Sequence, residues 1–168
     1  MSRNTRKRKE DIDLSPYEMK FRGQKKADKT TMDLFDFNLE FVHELQVKST
    51  EKLKSYKHND TISWLNVNGL DDVTLMKELN GIFGIDNNIM SDIMNPAIRP
   101  KVQEFEQGIM VSLKMLQFNE RTNKLSVENL CLVISHDFLI SFQAVKGDFF
   151  DTVRERIRKH KNKIRTAG

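Results

Sequence analysis

The run S-D-I-M-N-P-A-I-R-P-K-V-Q-E-F-E-Q-G-I-M-V-S-L-K-M-L, residues 91 to 116, decides the fold of this chain. Its opening residues finish a short helical patch. Pro96 closes that patch, because proline disfavours helical geometry in the residue before it. Pro100 sets a second corner through its fixed φ. From Lys101 to Glu106 polar and apolar residues alternate. Gly108 interrupts, and Ile109, Val111, Leu113 and Met115 then line one face at the two-residue period of a strand.

Upstream of this run, Asp86 can cap a short helix that places Ile89, Met90 and Ile93 on one side. Before it, Val73, Met76, Leu79 and Phe83 fall at helical spacing. Asp71-Asp72 suits the start of that helix and Gly84 its end. Thr61 to Val67 (T-I-S-W-L-N-V) reads as a strand, β-branched and aromatic, closed by Asn68-Gly69. Phe37, Leu39 and Phe41 alternate with polar neighbours, and Glu44 to Tyr56 reads as a weaker, more polar strand pair.

Downstream, Asn119 to Asn123 is a hairpin loop. Leu125 to Ser135 and Phe138 to Val145 follow as strands whose apolar residues occupy both parities, as in strands covered on both faces. A helix is expected from Gly147-Asp148 through Lys163, with Phe149, Phe150, Val153 and Ile157 inward. Six or seven strands and three helices in two separate blocks define an α/β fold with its sheet covered on both sides.

Charge divides the chain. Residues 1–30 carry ten Lys/Arg against five Asp/Glu, and residues 154–168 carry seven against one. The body between them has 11 basic and 18 acidic residues, so the overall +4 conceals an acidic domain between basic ends. Residues 1–30 show no period and read as a disordered basic arm, leaving 31–168 as one domain. The Arg6 to Lys9 run suits a solvated tail, or contact with nucleic acid or anionic lipid. A nucleic-acid-binding domain using this arm is the alternative reading, and the acidic body argues against an extended basic surface. No stretch has the 18 apolar residues of a membrane helix.

Chemistry is sparse. Gly81-Ile-Phe-Gly84 lacks the spacing and the Lys of a phosphate loop. His43, His58, His136 and His160 are scattered, and the single Cys131 gives no zinc spacing and reads as a buried thiol. With no nucleophile–base pair in evidence, the chain is not expected to be an enzyme. Glu104 and Glu106, two apart on one strand, read as solvated charges or as a cation contact. Asp92 stands out. It falls near the end of a short helix, where the macrodipole disfavours a negative charge unless a cation compensates. Arg99 or Lys101 is one such compensation, and a divalent ion held through carboxylate and retained water is the other.

Taken in order, several segments resemble the soluble half of the CorA-type divalent-cation transporters. They are W-L-N-V-N-G-L-D-D (Trp64 to Asp72), S-D-I-M-N (Ser91 to Asn95), R-P-K-V-Q-E-F-E (Arg99 to Glu106), V-S-L-K-M-L (Val111 to Leu116), F-L-I-S-F-Q (Phe138 to Gln143) and V-R-E-R-I-R (Val153 to Arg158). The resemblance implies an αβα domain with a mixed, largely antiparallel sheet. It further implies the cytoplasmic, Mg2+-sensing part of a homopentameric cell-membrane transporter, with Mg2+, or Co2+, as the ion. The stalk and membrane helices that follow this domain in the family are not in the present sequence, so the chain is expected to be the cytoplasmic portion alone. Within the family one metal ligand is the Asp of a Glu-Asp pair, which matches Asp92. Ser91 stands where the pattern has Glu.

Overall fold

The computed structural model describes residues 19–23, 29–57, 60–136, 138–145, 147, 150–159 and 162–165. Seven strands form one sheet: β1 (Thr31–Phe37), β2 (Val42–Val47), β3 (Ile62–Asn68), β4 (Lys101–Phe105), β5 (Gly108–Asn119), β6 (Lys124–Ile134) and β7 (Phe138–Gln143). Their spatial order is β2-β1-β3-β7-β6-β5-β4. Only β3 and β7 run parallel; every other pair is antiparallel. The sheet is therefore mixed and largely antiparallel, as the family resemblance implies. Among the described residues there are also three α-helices, α1 (Val73–Phe83), α2 (Asn87–Ile93) and α3 (Asp151–Arg158), and two 3-10 segments, Thr50–Tyr56 and Asn162–Arg165.

The alternation of side chains along strands separates two cores. On one face Leu34, Leu65, Val67, Ile140, Phe142, Val133 and Met110 meet Met76, Leu79 and Phe83 of α1 and Ile89, Met90 and Ile93 of α2. On the other face Phe35, Phe37 and Trp64 pack with Ile157 of α3, supported by Phe150 and Val153. Each buried aliphatic or aromatic side chain contributes about 1.5–3 kcal/mol. The first cluster is much the larger, and it fixes α1 and α2 against the sheet.

Local signals explain the helix ends. Asp72 accepts the Leu75 amide N–H at 3.0 Å and starts α1. Gly84 ends it at φ 64°, a left-handed conformation that costs glycine little, and its N–H reaches the Asn80 carbonyl. Asp86 occupies the expected capping position of α2 but makes no side-chain capping bond.

Three expectations are corrected. The Phe37-Leu39-Phe41 alternation crosses a turn, because the Asn38 side chain accepts the N–H groups of Glu40 and Phe41 and leaves Leu39 exposed at its tip. The second half of the polar strand pair is the 3-10 segment Thr50–Tyr56, held by buried Leu53 and by the Thr50 hydroxyl, which donates to Glu78 at 2.6 Å. The Ile109-Val111-Leu113-Met115 face forms as expected and is half-covered. Met110 and Ser112, pointing the other way, are buried under the α1/α2 side.

The last helix is shorter than expected. Gly147 lies outside it at φ 118°, and α3 runs from Asp151 to Arg158. The buried Arg165 guanidinium donates to the carbonyls of Ile157 at 2.6 Å and Arg158 at 3.0 Å, satisfying the helix end. Phe149, expected inward, lies outside the described residues. Of the expected arm, residues 19–23 lie against the main core through Met19 and Phe21.

Candidate functional site at Asp92

The last turn of α2 carries Asp92, and the chain then makes a compact corner before β4. The Asn95 N–H donates to the Asp92 carbonyl at 3.0 Å and the Ile98 N–H to the Asn95 carbonyl at 3.0 Å. The Asn95 side chain accepts the Ala97 N–H at 3.1 Å. From outside, the Arg22 N–H reaches the Met94 carbonyl at 3.3 Å, and Gly23 sits so close to Pro96 that an added Cβ would be 2.7 Å from the proline ring. From the sheet, the Asn129 side-chain amide donates to the Asn95 and Pro96 carbonyls, while its oxygen accepts from the Lys114 ammonium. The corner is therefore anchored by contacts that do not involve the Asp92 side chain.

Asp92 has its own partner. The Lys101 ammonium donates to its Oδ2 at 2.5 Å and to Gln103 Oε1 at 2.7 Å. Strand alternation places Lys101 and Gln103 on the α2 side of β4, opposite Ser112 and Met110 of β5. Arg99, the other cation in range by sequence, is exposed at the corner. Of the two internal cations in range of the carboxylate, Lys101 is the one that pairs with it. Both side chains remain about a third exposed, at 36% for Lys101 and 32% for Asp92. Water and small ions therefore reach the pair.

Beneath the site lies Cys131, across the β5/β6 pairing from Ser112 and buried. Burial pushes its thiol up to about 11, the Asp92 charge acts in the same direction, and the Ser112 hydrogen bond with the charges of Lys114 and Lys101 opposes. The thiol is inert packing, as expected. His136 sits in the exposed β6–β7 turn and is not brought to it as a catalytic partner. Glu104 is exposed on β4 facing away from α2, and Glu106 lies in the β4–β5 turn. Among the described residues no group of three or more His, Cys, Asp or Glu is placed to hold a metal ion.

Sequence reasoning missed Gln103, Lys114 and Asn129. Their signal was present: Ser112 and Lys114 interrupt the apolar character of β5 on the parity that α2 covers. It also missed a buried polar network on the α3 face. There the Trp64 indole donates to Ser141 at 3.0 Å, while Ser141 and Gln143 donate to Asn66 Oδ1 at 2.6 and 3.0 Å. A cleft of about 460 Å³ adjoins it, lined by Asp33, Glu44, Asn66, Asn68, Arg154 and Arg158 among others. Its arginines are engaged: Arg158 with Glu44 at 2.6 and 2.7 Å, Arg154 with Asp151 at 3.0 Å.

Solved structures share this architecture. The soluble domain of CorA from Methanocaldococcus jannaschii superposes with a TM-score of 0.52 at 16% identity, over 77% of this chain and 47% of that one. Full-length CmaX gives 0.63 at 11%, over 81% and 41%, and the ZntB cytoplasmic domain from Vibrio parahaemolyticus 0.54 at 12%, over 79% and 51%. At these identities the likeness concerns the fold alone. Sequence carries the identification further. The family described as CorA-like Mg2+ transporter protein matches residues 59–168, and the chain belongs to that family. The cobalt/magnesium transport protein CorA of Thermotoga maritima is 28% identical over 152 residues, which are 90% of this chain and 43% of that protein. The chain thus spans less than half the length of that relative. The family is one of transporters, not enzymes. No helix among the described residues is long and apolar enough to cross a membrane.

Proposed function

We propose that this chain is the cytoplasmic regulatory domain of a divalent-cation transporter, sensing Mg2+ through Asp92 at a contact between subunits. The supporting observation is the family match over residues 59–168, which contains a solvent-accessible carboxylate at the end of α2 with no role in the hydrophobic core. Mg2+ suits one or two carboxylates with several retained waters. Asp92 fits as one such ligand and does not make a site by itself, so the remaining ligands are water and groups of a neighbouring subunit. Ser91, which stands in place of the family's Glu, is buried and adds no carboxylate.

In this reading residues 31–168 form the sensing domain, residues 1–30 are a basic arm on it, and membrane helices beyond this chain complete a homopentamer in the cell membrane. Bound Mg2+ offsets repulsion between facing acidic surfaces and favours the closed assembly; its loss loosens the ring. Co2+ is the second ion, given the name of the Thermotoga relative, and nickel or zinc would leave the domain's role unchanged. The test uses the full-length transporter in limited proteolysis with and without Mg2+. Asp92→Asn and Asp92→Ala are expected to lose most of the Mg2+-dependent protection. Protection identical to the parent would remove Asp92 from the sensor.

A further inference from the structure

Beyond the body of the sheet, β5 and β6 continue as a two-stranded ribbon. β4 pairs with β5 only as far as Ser112, and β7 pairs with β6 only back to Leu130. From Lys114 to Asn119 and from Lys124 to Asn129 the two strands therefore pair, among the described residues, only with each other. Leu116 stands opposite Val127 and Phe118 opposite Leu125, so all four side chains share one face. They are 61%, 49%, 57% and 60% exposed. The reverse face carries Gln117, Ser126 and Glu128 beside Met115. We propose that the apolar face of this ribbon is a contact surface for a second copy of the chain, the two ribbons packing face to face about a two-fold axis. The inference does not rest on the reading of Asp92.

The ribbon needs cover. A two-stranded hairpin is marginally stable by itself in water, and a contiguous apolar cluster on a surface marks an interaction site. Both ends of the ribbon are held in place. At the tip the Asn119 side chain accepts the Thr122 N–H at 3.1 Å. At the base Asn129 engages the Lys114 ammonium and the carbonyls of Asn95 and Pro96. A fixed element therefore presents the face.

Charge selects the occupant. Lys114 lies at the base of the apolar face and Glu120 at its tip, and both are exposed. Two copies stacked antiparallel set the Glu120 of each over the Lys114 of the other, so unlike charges meet twice around the apolar centre. Parallel stacking would set like over like. A two-fold contact uses the same patch on both partners, and this patch complements itself in that orientation. Two such faces bury roughly 800–1,000 Å2 in total, the low end for specific association, so the dimer is weak, with a Kd on the order of tens of micromolar. A two-fold contact does not close a five-membered ring; in a full-length transporter it would join chains of separate assemblies.

Sedimentation velocity of the 168-residue chain at about 5 to 300 µM is the test. The parent should pass from monomer towards dimer over that range. Phe118→Glu and Leu125→Glu should each weaken association at least about tenfold. Their urea midpoints, read by Trp64 fluorescence, should stay close to the parent's, because both positions are exposed. Glu120→Lys and Lys114→Glu should each self-associate about three- to tenfold more weakly at low salt. An equimolar mixture of those two should dimerise as the parent does, since both unlike pairs are then restored. A parent that stays monomeric throughout would overturn the proposal and leave the face to another occupant. Dimers that survive both Phe118→Glu and Leu125→Glu would place the contact elsewhere, with the same consequence. A mixture no better than either charge variant alone would overturn the two-fold antiparallel stacking.

Discussion

Asp92→Asn should leave the stability of the domain almost unchanged. The ion pair with Lys101 joins two side chains that are about a third exposed, so solvent screens it. Exposed pairs of this kind contribute about 0.2–1 kcal/mol. Against that loss stands a gain. Asp92 sits in the last turn of α2, where a negative charge faces the negative end of the helix dipole at a cost of about 0.3–1 kcal/mol, which asparagine relieves. The two effects have opposite sign and similar size, so the net change should lie within about 0.5 kcal/mol either way. For a domain of this size that is a melting-point change of about 2 °C or less.

The chain contains a single tryptophan, Trp64, buried in the α3-side core, so urea unfolding followed by its fluorescence reads the whole transition. Asn129→Ala provides the contrast from the same corner. Its side chain is 8% exposed and bonds the Asn95 and Pro96 carbonyls as well as Lys114, so truncation strands buried polar groups and should cost about 2–3 kcal/mol. A loss above about 1.5 kcal/mol for Asp92→Asn would refute the reasoning. Asp92 would then be a structural salt bridge, and its case as a ligand would lose its physical basis.

Two further outcomes test the fold around the site. In Gly108→Ala the new Cβ would lie 2.1 Å from the Ile134 carbonyl oxygen, backbone that cannot move without opening the β5–β6 pairing. The expected cost is about 2–3 kcal/mol in the urea transition, and a cost under about 1 kcal/mol would show that the strands do not approach this closely. Cys131 predicts an alkaline effect: its buried thiol titrates near 11 against an ordinary 9.0, so the folded chain keeps the proton longer than the unfolded chain does. The stabilisation is complete below about pH 9 and is lost as pH rises towards 11, on the order of 2 kcal/mol, and Cys131→Ala should flatten that part of the pH profile. An unchanged slope in the variant would assign the alkaline loss to other groups.

Most of the fold was legible because its signals are local. Asp72 and Gly84 bracket α1 by capping and backbone conformation, and the β5–β6 hairpin follows from alternation on either side of a polar loop. The failures share one cause, which is that a period does not say what covers a face. Leu53 is fully buried in a 3-10 segment whose sequence alternates well enough to pass for a strand. Asn66 and Ser141 look like solvent-side residues of their strands, yet both are buried, because each finds a partner across the parallel β3–β7 pairing that only the topology brings together.

The same cause reaches the candidate site. Asp92 was identified from its place on a helix end, and its compensating cation was narrowed to Arg99 or Lys101. Choosing between them needed one further fact, the buried parity of β5. Ser112 is 3% exposed and Met110 fully buried, so the parity of β5 that faces α2 is the even one. In the antiparallel β4–β5 register Lys101 pairs with Ser112 and Gln103 with Met110, which puts both β4 side chains under α2 and turns Val102, 66% exposed, away. Arg99 precedes Pro100 and lies outside that register. Reading Ile109, Val111 and Leu113 as the inward face reverses the assignment and directs Lys101 into solvent, where it could not neutralise Asp92. Ser112 and Lys114, polar among apolar neighbours, read by alternation as the solvent side, although Ser112 is buried. They mark where the sheet exchanges hydrophobic cover for the carboxylate of α2, which the Lys101 ammonium meets from β4.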